Sequence, residues 1–153
     1  MNFIKFDIVS DLHLEYWDEN IKRSHYLGKI SNYPFRFKKT DSEYLIIAGD
    51  ICDNLQNSID FLLNALKYYK IILYIDGNHE HFDKFPKLYD TKYINDLIKD
   101  ERIIYLKEKS FIINKTAFIG CSGWWNYNNN DANLIKNLID SKYMCNLKLN
   151  LDE

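Results

Sequence analysis

The chain has 153 residues, 46% hydrophobic and 16% aromatic, enough apolar material for one core and a length that suits a single domain spanning residues 1–153. Twenty Lys plus Arg oppose 22 Asp plus Glu for a net charge of −2, which excludes the basic footprint of a general nucleic-acid or membrane-surface binder. Three cysteines, Cys52, Cys121 and Cys145, lack C-x-x-C spacing, which argues against a disulfide framework or zinc–thiolate site and for a reducing, cytoplasmic setting. The opening "MNFIKFDIVSD" sets Lys5 and Asp7 within its apolar run, unlike a secretory leader, and no apolar stretch approaches membrane-spanning length.

In chain order, residues 3–9 are β-branched and aromatic enough for a strand that Ser10 and Asp11 end. Residues 14–43 follow with Trp17, Tyr26, Tyr33, Phe35 and Phe37 among charges and no sustained period, which suits an ordered lid or long loop. Residues 44–48 and 71–75 are short apolar runs closed by Gly49 and Gly77, as expected of strands buried on both faces of a sheet. Between them Ile59, Leu62, Leu63 and Leu66 fall at helical spacing, so the spacing predicts a strand–helix–strand unit. A second helix is expected over residues 90–100, a strand over 103–106, and two short strands in "SFIINKTAFIG" turning at Asn114 and Lys115. Leu134, Ile135, Leu138 and Ile139 suggest a last helix. The fold class is α/β.

Each of the first three strands runs into side chains suited to metals. "SDLH" supplies Asp11 and His13, "GDICD" supplies Asp50 and Asp53, and "GNHEH" supplies Asn78, His79, Glu80 and His81. In an open α/β sheet the carboxyl ends of parallel strands share one edge, where ligands bind. Several carboxylates in one partly desolvated cleft cannot all stay ionised unaided, and a divalent cation resolves that conflict. Oxygen donors with an imidazole suit manganese, iron, magnesium or zinc, and Asp50 is placed to bridge two ions. Gly49 and Gly77 each allow a sharp backbone turn before a ligand.

Plainer readings stand beside each motif. Asp11 also fits a turn former and His13 a core histidine. Asp53, with Gln56 three residues on, also fits a helix N-cap. His81 and His25 read as surface histidines, and Trp124 and Trp125 as core or interface residues.

All three motifs in order, each closing a strand, resemble the calcineurin-like metallophosphoesterase superfamily, whose motifs run D-x-H, G-D-x-x-D, G-N-H-D/E, a lone His and G-H-x-H. The match covers Asp11/His13, Gly49/Asp50/Asp53 and Gly77/Asn78/His79/Glu80, within a resemblance over at least residues 3–120. "IGCSGWW" is similar to the segment after the next strand in some members. The resemblance implies a layered sheet with flanking helices, the N-terminal half of an αββα sandwich. It implies that Asp11 and His13 bind a first metal, that Asp50 bridges, and that Asn78 binds a second metal and the substrate. His79 would lie over the substrate phosphate as general acid or charge stabiliser, oriented by Asp53, and Glu80 would be structural. The implied reaction is hydrolysis of a phosphate ester by a metal-activated water, a phosphatase-type activity.

The chain departs from that pattern beyond His81: its four histidines are His13, His25, His79 and His81, so neither the lone His nor G-H-x-H is present. The motif mapping then provides well for one ion and poorly for a second, and the chain reads as truncated relative to the family. Three expectations follow: a phosphoesterase acting on an unspecified phosphate ester, a catalytically inactive binding or scaffold module, or a fragment complemented by a second chain that supplies the missing half.

Overall fold

The computed structural model describes residues 3–16, 40–84 and 89–122. Within them lie β1 (Phe6–Val9), β2 (Tyr44–Ala48), α1 (Leu55–Ala65), β3 (Ile71–Ile75), α2 (Thr91–Leu97), β4 (Ile103–Tyr105), β5 (Ser110–Ile113) and β6 (Thr116–Ile119), with 3₁₀ turns at Leu14–Tyr16 and His79–Lys84. Strands β1 to β4 form one parallel sheet in chain order, with Ile8 opposite Ile46, Ile46 opposite Leu73, and Leu73 opposite Ile104. Parallel neighbours need a crossover, and α1 supplies the one between β2 and β3. Strands β5 and β6 pair antiparallel about a tight turn in which Asn114 and Lys115 have φ of 46° and 70°. Two successive left-handed residues match the twist of a two-residue hairpin, the turn expected at those positions.

Period-2 alternation decides what each strand buries. Leu45, Ile47, Ile72, Tyr74, Ile103 and Tyr105 point to the helical side, where Leu55, Ile59, Phe61 and Leu62 of α1 and Ile94 of α2 complete the main core. Full burial of each such side chain stabilises the fold by about 1.5–3 kcal/mol. Leu63, expected on the buried helix face, is instead exposed, and Phe61 takes the inward position. On the opposite side of the sheet, Leu73, Leu106 and Ile113 form a smaller cluster with Phe111 and Phe118 of the hairpin. That side is only partly covered: Ile46 is half-buried and Ile8 is exposed. The expectation of strands buried on both faces therefore holds for β3 and not for β2, whose residues alternate.

The N-cap of α1 is Asn54, not Asp53. Asn54 Oδ1 accepts from Asn57 N at 3.0 Å, while its amide donates to Asp83 Oδ2 at 2.8 Å. Capping by Asn54 releases the Asp53 carboxylate for another partner. The expected second helix is shorter than residues 90–100; it begins at Thr91 under an Asp90 cap and ends at Leu97. Most of the expected lid over residues 14–43, His25, Trp124 and Trp125, Cys145 and the expected helix around residues 134–139 lie outside the described residues.

At the other end of β1, Asp7 accepts hydrogen bonds from Tyr69 Oη at 2.7 Å, Ser42 Oγ at 2.8 Å and Thr40 Oγ1 at 2.8 Å. These bonds, the tyrosine's foremost, hold the Asp7 carboxyl below its ordinary value of 3.8. A depressed folded value means stability that is present above pH 3.8 and is lost as pH falls below it. Asp7→Asn is expected to flatten that acid limb without moving the plateau at neutral pH by more than about 1 kcal/mol. Urea midpoints between pH 2 and 7 check it, and a variant limb identical to wild type counts against it.

Candidate metal centre

The segment after β1 continues as a ladder beside the segment after β2. Asp11 N donates to Gly49 O at 3.1 Å, His13 N to Asp50 O at 3.1 Å and Leu14 N to Ile51 O at 2.9 Å. This pairing carries the first two motifs to one edge of the sheet. It also forces unusual backbone: Asp11, His13 and Asp50 have φ of 52°, 45° and 56°, a left-handed region costly for non-glycine residues. Gly49, at φ 81°, turns the chain at no such cost.

The third motif joins through Asp50. His79 N donates to Asp50 Oδ1 at 3.1 Å. Donor atoms of His13, Asp50 and His79 lie within 4.8 Å of one another, the spacing a single divalent ion can span. The His13 and His79 rings meet edge to face at 4.2 Å. Asp11 is exposed beside this group and belongs to neither three-donor cluster among the described residues. Asn78 sits half-buried between Gly77 and His79.

Gly77 is needed for a different reason from Gly49. A Cβ there would lie 2.1 Å from Asp50 Oδ1 and 2.7 Å from Asp50 N, so close approach, and not a left-handed turn, demands glycine.

A protein-family model for calcineurin-like phosphoesterases matches residues 4–146. The chain belongs to the calcineurin-like phosphoesterase family. No curated protein matches it. Members of this family are divalent-metal hydrolases of phosphoesters, and the His13/Asp50/His79 donor set is of the nitrogen–oxygen kind that such ions take.

Around this candidate centre of the calcineurin-like phosphoesterase chain, one buried carboxylate sets the backbone. Glu80 is fully buried. Its Oε2 accepts from Asp50 N at 3.0 Å and Gly77 N at 2.7 Å, and its Oε1 from Ile51 N at 2.6 Å and Ser58 Oγ at 3.1 Å. Burial pushes its carboxyl up, while the Gly77, Ile51 and Asp50 amides pull the other way. Burial prevails, so the carboxyl lies above its ordinary value, and both of its oxygens accept from amide N–H groups. Glu80 thereby ties the second and third motifs together from beneath.

Asp53 Oδ1 lies 2.5 Å from His79 Nδ1. A second carboxylate joins them: Glu15, which spacing gives no reason to single out. Its Oε2 accepts from Asp53 N at 3.2 Å, and its Oε1 lies 3.2 Å from His13 Nδ1 and 3.6 Å from His79 Nδ1. Burial works against charge on His79, but Asp53, Glu15 and Asp50 together raise its value from 6.5 to about 10. Burial raises Asp53, with repulsion from Glu15 adding to it; burial is also the largest single influence on Glu15, but the His79 bond, a backbone hydrogen bond and the His79 and His13 charges together bring it below its ordinary value. With Nδ1 of His13 turned to Glu15, its Nε2 is the nitrogen left for a metal.

His81, expected at the surface, is only 2% exposed. Its partner is Asp76, also buried, which receives His81 Nε2 at 2.7 Å, Tyr105 Oη at 2.5 Å, Ser122 Oγ at 3.0 Å and Lys107 Nζ at 3.5 Å. Burial alone would raise the Asp76 carboxyl, but these donors and the Lys107 charge bring it down to about 2. No described helix is long and apolar enough to cross a membrane.

Proposed function

We propose that this chain hydrolyses a phosphate ester with a divalent metal held by Asp11, His13 and Asp50, with Asn78 available for a second ion or for the substrate. The observation that supports it is the convergence of three strand ends, which brings the His13 and Asp50 donors together with His79 beside them, in a chain of this family. The donor set suits manganese, iron, zinc or magnesium, and one ion is the better-provided state. When bound, the metal supplies an activated water and neutralises phosphate charge.

The chain's own residues do the rest. His13 presents Nε2 because Glu15 occupies Nδ1. Asp50 is fixed by Glu80 through its backbone and by His79 through its carboxylate. His79, held protonated by Asp53 and Glu15, stabilises negative charge on the phosphate. Asp53 and Glu15 raise its imidazole in the metal-free chain, and a cation bound beside it would oppose that rise. The intracellular setting expected from the cysteines belongs to the same reading.

The test is hydrolysis of bis(p-nitrophenyl) phosphate and of p-nitrophenyl phosphate with and without added Mn²⁺, alongside calorimetric titration of Mn²⁺. Metal-dependent turnover is expected. Metal binding without turnover would favour an inactive binding module, and the absence of both would end the phosphoesterase reading. Activity appearing only on addition of a second chain would favour the complemented-fragment reading.

A further inference from the structure

The loop that carries Asn78 and His79 is closed by three overlapping hydrogen bonds. Outermost, the Asp76 carboxylate receives His81 Nε2 at 2.7 Å. Within it, Glu80 Oε2 receives Gly77 N at 2.7 Å, and Asn78 O receives His81 N at 3.1 Å. The outer bond is anchored on both sides. Tyr105 is the last residue of β4 and Ser122 lies beyond β6, and both donate to Asp76 Oδ1. On the far side Tyr89 N donates to His81 Nδ1 at 3.0 Å.

A backbone N–H can only donate, so Nδ1 of His81 must be the bare nitrogen and Nε2 the one that carries the proton. The tautomer is therefore set by the chain itself, and it is the one the Asp76 bond requires. The hydrogen bonds of the pair described above run to Tyr105, Ser122, Lys107 and Tyr89, away from His13 and Asp50, so its role is to hold the loop.

We infer that His81 is a positioning residue: its bond to Asp76 clasps the Gly77–Glu80 turn and so holds Asn78 and His79 at the angle the metal centre needs. The clasp itself is a property of the metal-free chain, and its consequence for metal affinity rests on the function proposed above. Two substitutions separate its halves. The side-chain nitrogen of His81→Gln reaches roughly where Nε2 lies and keeps the Asp76 bond. His81→Asn keeps an acceptor for Tyr89 N and loses the Asp76 bond.

The readout is amide hydrogen exchange at His79, whose N–H bonds Asp50, compared with Ile72 and Leu73 in the core of the sheet. In metal-free protein, H81N is expected to speed exchange at His79 by about tenfold or more relative to the core amides, and H81Q to stay within about threefold of wild type. Mn²⁺ affinity should fall about 10- to 100-fold in H81N and be largely kept in H81Q. Unchanged His79 exchange in H81N, or an equal rise in both variants, overturns the clasp. If H81N does not fold, imidazole nitrogen shifts of the wild-type protein decide the matter, since a His81 ring protonated at Nδ1 and bare at Nε2 also overturns it. Failure of the wild type to bind Mn²⁺ would count against the phosphoesterase reading alone, because the exchange result stands without metal.

Discussion

Replacing Glu80 by glutamine is expected to cost about 2–4 kcal/mol of folding stability, although the change is nearly isosteric. The reason is that the carboxylate serves as acceptor at both oxygens. Oε2 meets the Asp50 and Gly77 amides, and Oε1 meets the Ile51 amide and the Ser58 hydroxyl. A glutamine NH₂ placed at Oε2 would confront two N–H donors. Placed at Oε1 it can donate to Ser58, whose hydroxyl is free to turn, but it still faces the Ile51 N–H. The better orientation therefore leaves one buried donor unmatched and weakens the charge-assisted bonds that remain. For a chain of this size the cost corresponds to a fall in Tm on the order of 10 °C. Because the same amides place Asp50 and Gly77, Mn²⁺ affinity should fall with it. Urea denaturation decides the point: a loss under about 0.5 kcal/mol, the range of ordinary surface substitutions, would show that Glu80 does not organise the site.

Asp50→Asn is expected to remove Mn²⁺-dependent phosphodiester hydrolysis by at least about 10²-fold while leaving the fold in place. Asparagine keeps an oxygen for the His79 amide, so the Asp50–His79 link survives and only the charge is lost. Two readouts belong together. Wild-type protein should gain thermal stability with added Mn²⁺ by mass action, and the variant should gain much less. Turnover equal to wild type in the variant would sink the assigned centre, whatever the metal result.

The parts of this molecule that were legible in its sequence are those in which local pattern and final environment agree. The β2–α1–β3 unit shows as apolar runs and helical spacing, and the hairpin as two short strands about Asn114 and Lys115. The strand-end motifs were visible because parallel topology carries such ends to one edge. Other features depend on partners distant in the chain. Asp53 and Asn54 are both good caps locally, and the choice falls to Asn54 because His79 engages Asp53, a contact made 26 positions away. Glu15 follows an apolar leucine with nothing in its spacing to mark it, yet it faces both imidazoles. His81 reads as a polar residue entering a helix, and its burial is explained by Asp76, just past a buried strand, together with the Tyr89 amide. The glycine at 77 looks locally like a turn former, but its constraint is the close approach of the Asp50 side chain and amide, not the torsion of its own backbone.

The left-handed backbone at Asp11, His13 and Asp50 has a consequence for how such a chain can change over time. Asn, Asp and His are the non-glycine residues that best tolerate this conformation. At these three positions the residues that suit the metal are also those that suit the torsion. If the proposed hydrolysis were lost in a lineage, the backbone requirement would remain, so its sequences should drift toward asparagine or glycine at 11, 13 and 50 and avoid β-branched residues there. Inactive descendants would keep the outline of the motif long after its charge had gone.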